Sequence, residues 1–153
     1  MQTISLPISI KELIHGHAVE WERIEFKEGW NPEVILHSIC AFANDFHNLG
    51  GGYIIVGIAE EDGVPVLPPK GLMKNQLDKI QKELLNLGHS AIQPMYHPIS
   101  VPYIIDEQNI LVIWVPGGET RPYQCKVSLS NKNEQWDYYI RKQSSSIRAI
   151  KQD

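Results

Sequence analysis

The 153 residues predict a mixed α/β fold of the α+β class, a compact single domain with a mixed sheet flanked by two or three helices. Three observations carry that expectation. Asn31, Pro32 and Glu33 suit the N-cap, the first helical position and the acid-favouring first turn, and Ile35, Ile39, Phe42 and Phe46 follow at helical spacing. Gly50-Gly51-Gly52 then ends the helix, and Tyr53 to Ile58 is an apolar run of β-formers, the pattern of a strand buried on both faces. Lastly, strand-like and helix-like stretches mix along the chain without strict alternation.

The other elements follow in order. Ser9-Ile10-Lys11-Glu12 matches a capping box and opens a short helix that Gly16 stops. Glu20 to Lys27 reads as a strand, with Glu22, Ile24 and Phe26 on one face and Trp21, Arg23, Glu25 and Lys27 on the other. Glu60 to Gly63 is a turn, and Pro65, Pro68, Pro69 and Gly71 make a loop. Leu77, Ile80, Leu84 and Leu87 form a helical stripe that Gly88 ends. Pro94, Pro98 and Pro102 place any strand between them at a sheet edge. Two hairpins are expected: Ile104-Ile105 with Ile110–Val115, and Tyr123–Leu129 with Trp136–Arg141. The polar end, Gln143 to Asp153, is expected to start a helix capped by one of Ser144, Ser145 and Ser146.

Composition excludes several classes of function. No apolar run approaches the roughly 20 residues of a membrane span, and the N-terminus lacks a signal-peptide pattern. Cys40 and Cys125 form neither a metal motif nor a disulfide framework, so a cytoplasmic protein is expected, with Cys40 a small core residue. The six histidines lack ligand spacing, and no Ser or Cys sits in a nucleophile motif. The three glycines are no phosphate loop either, because they follow a helix and precede a strand, the reverse of the phosphate-cradling order. Charge is uneven. Residues 1–120 carry net −8 and residues 121–153 net +4, so the acidic whole opposes non-specific phosphate binding while the basic tail leaves a local patch open.

Several motifs, in order, carry a family resemblance: Glu25-Phe26-Lys27, Ala41-Phe42-Ala43-Asn44, Gly51-Gly52-Tyr53, Gly57, Arg121-Pro122-Tyr123, and Tyr138-Tyr139-Ile140-Arg141 with Ser144-Ser145-Ser146. Together they resemble the Schlafen/AlbA-type DNA-binding domain over nearly the whole chain. The resemblance implies a DNA- or RNA-binding module of a bacterial transcriptional regulator. Such regulators usually carry the domain at the N-terminus, often before an ATPase-like region and a winged helix. The chain is then an excised N-terminal domain or a stand-alone member, and a homodimer is a further expectation.

Vertebrate Schlafen relatives use the domain as an endoribonuclease with three acidic residues. By resemblance these correspond to Glu20, Glu25 and Glu60, where the nucleases have Asp at the last, and hard carboxylate oxygens there would hold Mg²⁺ or Mn²⁺. On a regular strand Glu20 and Glu25 point to opposite faces, and the vertebrate Cys/His zinc site has no counterpart. Binding itself implies no cofactor. Lys27, Arg121, Arg141, Lys142 and Arg148 are the candidate phosphate contacts, with Ser144 and Ser145 donating hydrogen bonds and Tyr139, beside Tyr138, offering stacking surface. In the other reading Trp136, Tyr138 and Ile140 face the core, the basic residues are a solvated edge, and Lys27 and Arg23 form ion pairs beside Glu25. An oligomerising scaffold is the third class.

Overall fold

The computed structural model describes residues 23–130 and 134–149, together with Leu6, Ser9, Ile10 and Ile14. The expected N-terminal helix and the strand start at Glu20 therefore fall largely outside the described residues, as do His15 and His17.

The helix at the centre is the one the Asn31 cap predicts. α1 spans Pro32–Asn44, and the Asn31 side chain accepts from Val34 N. Ile35, Leu36, Ile39, Cys40, Ala41, Phe42 and Ala43 are all buried, because α1 lies between two sheets rather than on the flank of one. It stops earlier than the glycines suggest. Asp45 adopts the left-handed conformation at φ 44, its N–H turns back onto the carbonyls of Ala41 and Phe42, and its carboxylate accepts from Leu49 N and Gly50 N. Phe46 lies beyond that cap and is exposed, so it is not part of the apolar stripe.

The first sheet runs in the order β1-β2-β7-β6, with β1 Ile24–Lys27, β2 Gly52–Val56, β6 Ile99–Ile105 and β7 Gln108–Val115. It is mixed: β1 pairs parallel to β2, and the remaining pairs are antiparallel. β2 is buried throughout, as its apolar run predicts, with Ile54 and Val56 towards α1 and Tyr53 and Ile55 towards Leu6, Ile10 and Ile14. The glycines serve close packing. A Cβ on Gly51 would lie 1.9 Å from Val115 O, and one on Gly52 would lie 2.3 Å from the Phe42 ring. β6 is an edge strand, where Pro102 interrupts no ladder.

β3 (Glu60–Glu61) and β4 (Val64–Pro65) form a small hairpin. α2, Lys74–Ser90, closes the core from the side with Ile80 and Leu84, and Glu83 accepts the Trp30 indole N–H at 2.7 Å. Gly88 does not end it. The glycine is needed inside the helix because a Cβ there would lie 2.3 Å from Tyr96 O. The second sheet is antiparallel in the order β10-β9-β8-β5, with β5 Ile92–Gln93, β8 Gln124–Lys126, β9 Trp136–Lys142 and β10 Ser145–Arg148. The serine run thus opens a strand and not a helix. β9 offers it a free edge to pair with, and Ile147 lies opposite Ile140 in that pairing. No described helix is long and apolar enough to cross a membrane.

Candidate functional site

The register of β9 decides where the predicted residues go. Side chains alternate along a strand, so Tyr139 and Arg141 share one face and Trp136, Tyr138, Ile140 and Lys142 the other. The first pair points inward. Tyr139 is 4% exposed and its ring stacks on His37, with centroids 4.2 Å apart and planes 10° from parallel. Burial above all, with the neighbouring Cys125 thiol next, pushes its hydroxyl up to about 12. His37 Nε2 lies 3.1 Å from the carbonyls of both Lys126 and Val127, which makes it the protonated, donating nitrogen.

Arg141 is 4% exposed and ends over the Phe42 ring, 4.9 Å from its centroid. Its Nη1 donates to Glu25 Oε1 at 2.7 Å and to Ser146 Oγ at 3.0 Å, and Nη2 donates to the Ile24 carbonyl at 3.1 Å. Ser146 also meets Ser38 of α1 at 3.0 Å. The pair is a bolt through the interior, tying β1 to β9, β10 and α1. An ion pair this deep costs desolvation that its hydrogen bonds must offset, and removing one partner leaves the other charged and stranded. Both Tyr139 and Arg141 are therefore corrections to the expected nucleic-acid contacts, since neither ring nor guanidinium reaches the surface. The alternative expectation needs the opposite correction at Tyr138, which is 42% exposed, and at the partly exposed Trp136, while Ile140 is buried as that reading had it.

Glu25 is 5% exposed, and Glu60 is exposed on the β3–β4 hairpin, where it accepts from Gly63 N. No three His, Cys, Asp or Glu side chains gather as a metal ion would require among the described residues, and Glu20 lies outside them. Glu25 spends one oxygen on a guanidinium and Glu60 closes its own turn. These two do not fit the divalent-metal site that the resemblance implies.

The remaining candidates divide by place. Lys142, Ser144, Ser145 and Arg148 lie on the β9–β10 hairpin, with Ser145 opposite Lys142. Arg148 is held across the strand by Asp137, with Nη2 2.6 Å from Oδ2. Arg121 sits apart at the C-terminal end of α1, within 3.5 Å of Asp45 Oδ2 and 3.4 Å of the Asn44 carbonyl, where a cation complements the helix dipole. Lys27 is on β1 in the other sheet.

Two residues matter more than the sequence reading allowed. Asn44 Oδ1 accepts from Tyr123 N at 2.6 Å, and its Nδ2 donates to Tyr123 O at 2.9 Å and Tyr139 O at 2.7 Å. It thus stitches the end of α1 to the segment entering β8 and to β9. Asp45 caps α1 and orders the following loop. The signal available was Asn-Asp at a helix end, both prone to left-handed or side-chain-bonded conformations.

Comparison with known proteins gives three findings. A family model described as Schlafen, AlbA_2 matches residues 20–150. The N-terminal domain of a candidate ATP-dependent DNA helicase, a RecG-related protein of Nitrosomonas europaea, superposes with TM-score 0.52 at 24% identity, covering 75% of this chain and 70% of that one. The DIP2311 protein of Corynebacterium diphtheriae superposes with TM-score 0.55 at 20% identity over 84% of this chain and only 22% of its own. At these identities the two likenesses show the fold alone. No curated protein matches the chain.

Proposed function

We propose that this chain, which belongs to the Schlafen, AlbA_2 family, is a nucleic-acid-binding module, with DNA in a transcriptional regulator as its setting. The observation that supports this reading is the segregation of charge. Of the cations after residue 120, Lys126, Arg141, Lys142 and Arg148 lie on β8, β9 and β10, one layer at the edge of an otherwise acidic molecule, while Lys132 and Lys151 lie outside the described residues. Phosphates would meet Lys142 and Arg148 on that hairpin, with the hydroxyls of Ser144 and Ser145 beside them, and counterion release would supply most of the affinity.

The test is fluorescence anisotropy with labelled duplex DNA, single-stranded DNA and structured RNA at two salt concentrations, with and without Mg²⁺ or Mn²⁺. Binding that weakens as salt rises, with the ligand intact on a gel, is the expected result. Absence of binding to all three would overturn the reading. Metal-dependent shortening of the ligand would instead restore the nuclease assignment and centre it on Glu20.

A further inference from the structure

The second sheet has one face against α1, and its other face is uncovered at Tyr138 among the described residues. Cys125, Tyr139, Arg141 and Ser146 point to α1, so Lys126, Trp136, Tyr138, Lys142 and Ile147 point away from it. No described helix or sheet is laid over that outer face. A solvent-facing sheet normally alternates to polar residues. This one carries a partly exposed Trp136 and a Tyr138 that is 42% exposed on β9, with Ile147, 36% exposed, on β10 opposite a buried Ile140. Two large aromatic side chains at i and i+2 on one face of β9 make that face a candidate interaction surface.

We propose that this outer face is a stacking platform for single-stranded nucleic acid, with bases laid on Tyr138 and Trp136 and phosphates beside Lys126 and Lys142. The proposal rests on the nucleic-acid reading and names its ligand and surface. Charge complementarity selects the occupant. The cations on this face come from the basic segment, and Lys126 Nζ stands 5.8 Å from the Trp136 ring centroid, placing positive charge beside the stacking surface. Its ion pair with Glu134, at 3.1 Å, is the only acidic contact recorded for it among the described residues. The form of the ligand follows from the aromatics. Rings on an open sheet need unpaired bases, whose faces a duplex keeps covered, and stacking of this kind is tolerant of sequence. Tyr139, one residue along, has no such role because its ring is spent on His37.

Anisotropy with a fluorescein-labelled oligothymidylate and a duplex of equal length tests this. The single strand is expected to bind tighter than the duplex. Tyr138→Ala should weaken single-strand binding by about tenfold, as expected for the loss of one stacked base. Tyr138→Phe should stay within about twofold, because the ring and not the hydroxyl does the stacking. Since Tyr138 is exposed, unchanged thermal melting of both variants keeps the comparison free of folding effects, and Trp136→Phe provides an independent second position expected to retain binding while Trp136→Ala loses it. Wild-type affinity in Tyr138→Ala and Trp136→Ala, in a protein that still binds nucleic acid, would overturn the platform and leave the family reading standing. Tighter binding to duplex than to single strand would do the same. No binding to either probe would overturn both. A dimer that Tyr138→Ala converts to monomer, without change in affinity, would make the face a protein interface and overturn the proposal.

Discussion

Tyr138 and Tyr139 are adjacent in β9 and have opposite fates. The inner face of that strand is a structural seam, in which Tyr139 lies on His37 and Arg141 reaches through to Glu25. The outer face carries equally aromatic and basic residues, and Tyr138 there is 42% exposed. Residue type is the same on both sides, so the chemistry a side chain performs is set by which layer its Cβ meets. A basic, aromatic strand in a nucleic-acid-binding family is thus half scaffold, and its most buried arginine is its least available one.

Removing the inner guanidinium should produce the largest effect. Arg141→Ala is expected to destabilise the domain by about 3–5 kcal/mol, measured by urea unfolding, because it strands the Glu25 carboxylate in the interior. A companion double variant, Glu25→Met with Arg141→Met, should recover most of that loss. If Arg141→Ala instead left stability intact and lowered only nucleic-acid affinity, the division between the two faces would be broken.

Asn44→Ala is next, at about 3 kcal/mol by the same measurement, because it leaves the Tyr123 and Tyr139 backbone groups without the side chain that serves them. A pH titration then probes the inner tyrosine. The fold raises the Tyr139 hydroxyl from 10.0 to about 12, so it holds the phenol proton more tightly than the unfolded chain does. The corresponding stability is intact below pH 10 and lost as pH climbs from 10 towards 12. Tyr139→Phe should flatten that alkaline slope.

On the surface, effects on stability should be small. Arg148→Ala breaks only an exposed pair with Asp137, so urea unfolding should register little change. In binding it should act differently, lowering the slope of log affinity against log salt by about one if the β10 arginine neutralises a phosphate.

Much of the fold was legible because its signals are local. The Asn31 cap, the stripe of Ile35, Ile39 and Phe42, the all-apolar β2 and the hairpin around Asp106 and Glu107 each depend on residues within a few positions of one another. The misjudged elements depend on distant partners. Gly88 looks like a stop until Tyr96 is seen lying against it, and Ser144 to Ser146 look like a cap until the free edge of β9 is present to pair with β10. The end of α1 was set by the side-chain bonds of Asp45 and not by the nearest glycine.

The candidate site divides in the same way. Sequence by itself determined the α+β class, the central helix, the glycine turn, the family and the basic character of the last strands, since periodicity, caps and charge are properties of neighbours along the chain. Only the tertiary structure decided that Glu25 and Arg141, 116 residues apart, form one buried pair. It also decided that α1 covers one side of the second sheet, burying Tyr139, while Tyr138 on the other side stays exposed. Alternation along β9 says that two sets of side chains oppose each other, but not which of them is inside. That depends on what packs against the sheet, and the answer comes from residues far away in the chain.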